Sequence, residues 1–201
     1  MGYIVNDIPV GRAPSEIERS SRYNEFFEKV GNSVENIKFV NNFISEEEID
    51  YIFTSLSDSE ESAWPSQKDN DGNILNWMYS YNIKDRDNII DRVKQEVIKT
   101  YNFEHIKPIG YNLNVVKWVE GSKLVLHVDD LGYMTDNHIA TLIYLNDNYE
   151  GGEIAFATHD FYLKPKSADL IIFPGNMHYA HEVKEVLSGT RYTLSIWFTI
   201  V

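Results

Sequence analysis

The chain has 201 residues, 43% hydrophobic and 13% aromatic, enough to bury one substantial core and of a length that favours a single domain over 1–201. Its 18 Lys and Arg against 31 Asp and Glu give a net charge of −13, which repels phosphate backbones and anionic lipid and argues against nucleic-acid or membrane partners. With 0 Cys, a disulfide framework and a thiolate metal site are both excluded, so any metal must be held by His, Asp or Glu.

The N-terminal stretch "MGYIVNDIPVGRAPSE" lacks a basic flank with a long apolar segment, and Asn6 stands where a myristoylation signal wants Ser or Thr. No apolar run is long enough to span a bilayer, which predicts a soluble, cytoplasmic protein. The first forty or so residues are polar and weakly periodic; they predict a helix over Glu16 to Lys29 and a strand at "NIKFVNNF". In "ISEEEIDYIFTSL" the signals are sharper. Ser45 and Glu48 form a capping box, Ile44 and Ile49 can staple across it, and Ile49, Ile52, Phe53 and Leu56 share one face of a helix. The acidic run Glu46 to Glu48 suits the first turn of that helix.

From Ser57 to Tyr79 the composition predicts a long polar loop carrying Trp64 and Trp77, a lid candidate because exposed tryptophans are costly without a partner. "KDNDG" looks like part of a calcium loop, but Gln67 and Met78 occupy its first and last ligand positions, so a glycine turn is the reading. A second helix is predicted at "NIIDRVKQEVIKTY", with Ile90, Val93, Val97 and Tyr101 on one side.

From Ile106 the texture changes to short β-rich runs: "IGYNLNVVKWV", "KLVLHVDD", "IATLIYLN", "GEIAFA", "DLIIFP", "HEVKEV" and "RYTLSIWFT". Helices first and evenly spaced strands afterwards predict an α+β domain, with helical support over about 1–105 and a β core over about 106–201 closing into a sandwich or barrel.

In "LVLHVDD", His127 and Asp129 are two residues apart, and in a strand such residues face the same side, as two ligands of one ion would. A third ligand must come from elsewhere, and "MHYAHEVKEV" offers His178 and His181. These are three apart and point to opposite faces of a strand, so at most one can join. "GTRYTLSIWFT" then places Arg191 inside an apolar segment, where a buried cation is costly unless an anion pairs with it.

Two His, one carboxylate and a buried Arg make a chemical set in which the triad leaves open positions on Fe(II) and the Arg holds a dicarboxylate. The sequence here resembles the prolyl 4-hydroxylase-like family of 2-oxoglutarate- and Fe(II)-dependent dioxygenases. "HVD", "TLIYLNDNYEGGEIAF", "LKPKSADLIIFP" and "HEVKEVLSGTRYTLSIW" come in that family's order over Asn114 to Phe198, and "NFISEEEIDYI" resembles it more loosely. In the family the distal His precedes the cation by about ten residues, and 191 − 181 = 10 selects His181 over His178. The family often has Tyr where Trp118 and Leu124 stand, and Arg where His138 stands.

The resemblance implies a double-stranded β-helix, jelly-roll or cupin-like, with flanking N-terminal helices. It implies iron ligation by His127, Asp129 and His181, and pairing of Arg191 with the C5 carboxylate of 2-oxoglutarate. Tyr144 and Thr193 would add hydroxyl donors to that carboxylate, and Trp197 would lie on the substrate side. The implied reaction consumes O2, converts 2-oxoglutarate to succinate and CO2, hydroxylates an unactivated C–H bond, and takes ascorbate as reductant. Asp129 argues against a halogenase, which needs that ligand absent. Peptidyl proline is the first-choice substrate by family likeness. Another protein side chain or a free amino acid is the alternative, as is a non-catalytic binding module on the same fold; oligomeric state is left open.

Overall fold

The computed structural model describes residues 14–57, 66–68, 72, 74–81, 86–109, 113–130 and 137–201. Three helices precede most of the sheet: α1 (Pro14–Val30), α2 (Glu46–Ser57) and α3 (Arg86–Tyr101). The capping box of α2 forms as its sequence demands. Ser45 N–H donates to the Glu48 carboxylate at 2.8 Å and Glu48 N–H to the Ser45 hydroxyl at 3.2 Å, so two otherwise orphaned donors at the helix start are satisfied. Helix α3 stops at Asn102, whose φ of 48° is the left-handed conformation that terminates helices. Arg92 of α3 pairs with Glu48 of α2 at 2.6 Å and donates to the Phe43 carbonyl, tying the two helices together.

The strands are β1 (Lys38–Val40), β2 (Ser66–Lys68), β3 (Ile74–Tyr81), β4 (Ile106–Pro108), β5 (Leu113–Val119), β6 (Leu124–His127) and β7 (Ile139–Tyr144). They continue as β8 (Glu150–Gly151), β9 (Ile154–Phe156), β10 (Phe161–Leu163), β11 (Leu170–Pro174), β12 (His181–Val183), β13 (Val186–Ser188) and β14 (Thr190–Ile200). The large sheet runs β1-β11-β7-β14-β5-β3-β2, with β4 also on β14, and the smaller one β10-β9-β12-β6; β8 and β13 form a separate pair. Every pairing is antiparallel.

Alternation along the central strands sorts side chains to two faces. Leu113, Val115, Ile139, Ile143, Leu170, Ile172, Leu194, Ile196 and Phe198 join Phe26, Ile52, Val93 and Val97 in one core under the helices. The opposite face carries Ala140, Tyr144, Ile171 and Phe173, which meet Ile154 and Phe156 of the small sheet in a second core. The large sheet is therefore a wall with helices behind it and the small sheet in front. This is the double-stranded β-helix arrangement with flanking helices that the sequence implies.

One expectation is corrected. The stretch Ser57 to Tyr79 is not an unbroken loop, because β2 lies within it, β3 begins in it, and β3 pairs with β5 from Trp77↔Lys117 to Tyr81↔Leu113. "ILNWMYSY" is rich in aromatic and apolar residues that suit a pleated sheet, and the free edge of β5 supplies the backbone partners that composition alone does not reveal. Gly72, at φ 85°, lies in the β2–β3 connection, as the glycine-turn reading expects. Trp64, the other tryptophan of the lid idea, lies outside the described residues. The strand near "NIKFVNNF" is shorter than expected, with a 3-10 turn over Val34–Asn36 ahead of β1.

If β3 is an integral strand, its backbone amides bonded to β5 exchange slowly with solvent deuterium in the ligand-free protein, and adding ligand leaves them unchanged. Fast exchange throughout residues 74–81 in that state would restore the loop.

Candidate metal centre

Strand β6 ends at His127 and β12 begins at His181, and the antiparallel register sets these two residues directly opposite each other. Their rings lie 4.3 Å apart at 55°. Asp129 lies in a bend just past β6 rather than on the strand itself. It reaches the same point, with one oxygen 3.9 Å from His127 Nε2 and the other 3.8 Å from His181 Nε2. One ligand atom from each of the three lies within 4.8 Å of the others.

The bend is held against β11 and β7. Asp130 N–H donates to the Gly175 carbonyl at 2.8 Å, and Gly175 N–H donates to the His138 carbonyl at 2.8 Å. A side chain on Gly175 is incompatible with this approach: a Cβ there would sit 2.2 Å from the Asn137 carbonyl oxygen and 3.3 Å from Asp129 Cβ.

Both imidazoles are oriented through Nδ1. His127 Nδ1 lies 2.9 Å from the Val125 carbonyl oxygen and His181 Nδ1 3.1 Å from that of Tyr179. A carbonyl oxygen only accepts, so Nδ1 carries the hydrogen in each ring, and each Nε2 lone pair is left facing Asp129. His181 is 5% exposed and packs against Phe173 and Phe156. Burial pushes it down to about 4; proximity to Asp129 opposes the fall and His127 adds to it. The ring is therefore neutral near pH 7 and its lone pair is available. The Nε2–oxygen separations are too long for hydrogen bonds, and they suit three donors converging on one ion. Two neutral imidazoles and a carboxylate are a donor set that Fe(II) accepts while keeping open positions.

Arg191 on β14 is 1% exposed. Its Nη2 donates to the Tyr144 hydroxyl at 3.0 Å, and its guanidinium lies 4.9 Å from the centre of the Tyr144 ring and 5.2 Å from that of Trp118. No ion pair found among the described residues involves it, and its Nε has no hydrogen-bond partner there. A fully buried cation with no carboxylate beside it among the described residues is expensive, and an anion would offset that cost. Thr193 is buried two residues along β14, in register with Tyr144. Tyr144 in turn belongs to the inter-sheet core with Phe156 and Phe173, the residues packed on His181. Trp197 is half-buried against that same core.

Two residues that sequence reasoning did not assign also face the cation. The buried Trp118 indole N–H has no hydrogen-bond partner among the described residues, and the buried Tyr149 hydroxyl lies beside the Arg191 guanidinium without a well-aligned hydrogen bond. Burial pushes the Tyr149 phenol up to about 12, against the pull of the Arg191 charge. The parity of Trp118 with Val116 on β5 was readable in advance; Tyr149 sits beyond β7 and carried no periodic signal. His178 lies exposed in a 3-10 turn outside the cluster. His105 meets Phe103 edge-on and His159 lies tilted against Tyr179, and neither belongs to the cluster.

Residues 113–199 match the family model described as the 2OG-Fe(II) oxygenase superfamily. Over those residues the chain is similar in sequence to that superfamily. A stretch of 66 residues is 36% identical to prolyl 3-hydroxylase 2 from Homo sapiens, and one of 66 residues is 35% identical to the same enzyme from Mus musculus. Each match spans 30% of this chain but only 9% of the relative.

Among solved structures, a Pseudomonas putida prolyl-4-hydroxylase superposes with TM-score 0.67 at 12% identity, covering 91% of this chain and 99% of that one. The viral collagen prolyl hydroxylase of Paramecium Bursaria Chlorella virus-1 gives 0.63 at 18%, covering 83% and 96%. A Trichoplax adhaerens prolyl hydroxylase, in complex with a hypoxia inducible factor oxygen degradation domain peptide fragment, gives 0.64 at 15%, covering 95% and 94%. At these identities the structures establish the fold. The family's reaction uses Fe(II), 2-oxoglutarate and O2. No helix among the described residues is long and apolar enough to cross a membrane.

The low proton affinity of His181 sets a pH dependence. Between pH 6.5 and about 4 the unfolded chain binds a proton at residue 181 that the folded chain does not. The metal-free protein therefore loses stability as pH falls through that window, by up to roughly 3 kcal/mol. Urea midpoints measured from pH 7 to pH 4.5 fall less steeply in His181→Ala; equal slopes in the two proteins would contradict the assignment.

Proposed function

We propose that the protein is a 2-oxoglutarate- and Fe(II)-dependent dioxygenase that hydroxylates an unactivated C–H bond, with peptidyl proline as substrate. The observation that carries this reading is the buried Arg191, a cation with no carboxylate partner among the described residues, on the sheet wall that faces the His127–Asp129–His181 cluster. A co-substrate with a metal-chelating 2-oxo acid at one end and a carboxylate at the other satisfies both halves of that arrangement. Proline in a peptide is supported by the prolyl hydroxylases that this chain resembles in sequence over 66 residues and in fold over most of its length.

On this reading His127 and His181 would hold Fe(II) through Nε2 and Asp129 through a carboxylate oxygen, a donor set that would leave positions open for co-substrate and O2. The bound metal supplies O2 activation coupled to oxidative decarboxylation of 2-oxoglutarate to succinate and CO2. Arg191 forms a charge-assisted pair with the C5 carboxylate, and the Tyr144 and Thr193 hydroxyls donate to it, which fixes the co-substrate's orientation. Phe156 and Phe173 keep water from the His181 side of the metal, and Trp197 lines the substrate side. The helices and the β core act together as one domain, since α1, α2 and α3 bury their faces against the same sheet that carries Arg191.

The deciding assay supplies Fe(II), ascorbate, 2-oxoglutarate and proline-containing peptides. It reads succinate together with a mass gain of one oxygen on the peptide. Succinate with hydroxylation on another side chain would replace the substrate and keep the class; no succinate under any of these conditions would leave a binding module.

His127→Ala or His181→Ala abolishes turnover and iron binding with the fold retained, whereas His178→Ala is nearly silent. Equal iron loss in the His178 and His181 variants would overturn the third ligand. Arg191→Leu weakens 2-oxoglutarate binding by about 2–5 kcal/mol, roughly 30-fold or more, with iron affinity unchanged. Calorimetric titration checks this, and unaltered 2-oxoglutarate affinity would contradict the co-substrate pocket.

A further inference from the structure

The N-terminal segment lies outside residues 113–199, the part matched by the family model, yet it touches the metal cluster's surroundings from two directions. Tyr23, on α1, donates from its hydroxyl to the Asp130 carboxylate at 2.8 Å, and Asp130 is 3% exposed. The Tyr23 ring also meets the buried His138 edge-on at 5.0 Å. Burial and the neighbouring Asp130 charge raise the Tyr23 phenol well above its ordinary value, so it stays protonated and keeps donating. Asp130 follows Asp129 directly. Its backbone is pinned to Gly175 and its side chain to Tyr23, so the bend that delivers Asp129 is gripped from both sides.

The second contact is at Tyr179, which is fully buried. Its hydroxyl accepts from Asn36 Nδ2 at 3.0 Å and lies within donating distance of the Ser33 carbonyl at 3.1 Å and the Gly31 carbonyl at 3.3 Å. The carbonyl of this same Tyr179 is the one that orients His181 through Nδ1. The turn that follows α1 therefore holds the residue that aims one imidazole, while α1 itself holds the residue beside the carboxylate.

We infer that the segment from Tyr23 to Asn36 is an outer brace of the metal centre, in which Tyr23 is a positioning residue for Asp129 and Tyr179 links the brace to His181. This rests on the metal-binding reading of His127, Asp129 and His181. Partners that orient metal ligands in this way change metal affinity by about 10–100-fold when removed, because the ligands then spend less time in the binding geometry. The brace also gives the helical segment a role in the chemistry beyond covering the sheet.

The test titrates Co(II) anaerobically into the full chain, following the visible ligand-field spectrum and, separately, thermal unfolding of the metal-free protein. Tyr23→Phe keeps the ring on His138 and removes only the hydroxyl; its Co(II) Kd rises about 10–100-fold and its ligand-field bands shift, with the folded state retained. Tyr179→Phe gives a loss in the same direction. Arg22→Ala controls for helix docking, since Arg22 anchors α1 by donating to the Val201 carbonyl at 2.5 Å and leaves the Tyr23–Asp130 bond in place; it retains wild-type Co(II) affinity. Equal Co(II) affinity in wild type and Tyr23→Phe, or a loss in Arg22→Ala as large as in Tyr23→Phe, overturns the brace. His127→Ala separates the two levels: if it too binds Co(II) normally, the metal-binding reading fails; if it alone loses the metal, only the brace fails.

Discussion

The antiparallel pairing of β6 with β12 is the constraint on which the site depends. It sets His127 opposite His181, and a one-residue slip would turn one imidazole to the other face of the small sheet. Asp129 is added by a bend that passes close to β11, a route open only because Gly175 has no side chain. Each ring is then locked at Nδ1 by the carbonyl two residues upstream, so the tautomer needed at Nε2 follows from backbone geometry. The His-Asp-His cluster is assembled from strand register, a missing Cβ and two backbone oxygens before any ion is considered.

The large sheet performs two tasks with one set of strands. Its rear face is an ordinary apolar core against the helices, and its front face mixes apolar packing with Arg191, Thr193 and Tyr144. Burying a guanidinium between Tyr144 and Trp118 is costly to the empty protein, and on the proposed reading an incoming anion offsets that cost. On the proposed reading, affinity for a dicarboxylate and a cost in its absence would be two consequences of the same placement.

Much of this was legible in the chain. The α2 capping box, the spacing of Ile90, Val93, Val97 and Tyr101 on α3, and the β-rich runs after Ile106 all carry local signals that tertiary packing reinforces. Parity along β14 put Thr193 on the face of Arg191, and the structure keeps both buried. Strand β3 was hidden because its stability comes from the edge of β5, a partner more than thirty residues away in the sequence. Asp129 was expected on the strand and lies in a bend, since strand ends depend on what packs beside them and here that is Gly175. Tyr149 and Tyr23 gave no sequence signal, because their roles arise from contacts with Arg191 and Asp130 that no periodicity encodes.

The central claim is that one inter-sheet space holds a divalent metal at the His-Asp-His cluster and a dicarboxylate at Arg191 together. The most direct measurement is a crystal structure of the protein grown anaerobically with Mn(II), a redox-quiet stand-in for Fe(II), and 2-oxoglutarate. The account predicts metal density bonded to Nε2 of His127 and His181 and to Asp129, the 2-oxo acid chelated to it, and the far carboxylate on Arg191. Metal bound elsewhere, or 2-oxoglutarate seated away from Arg191, would contradict it.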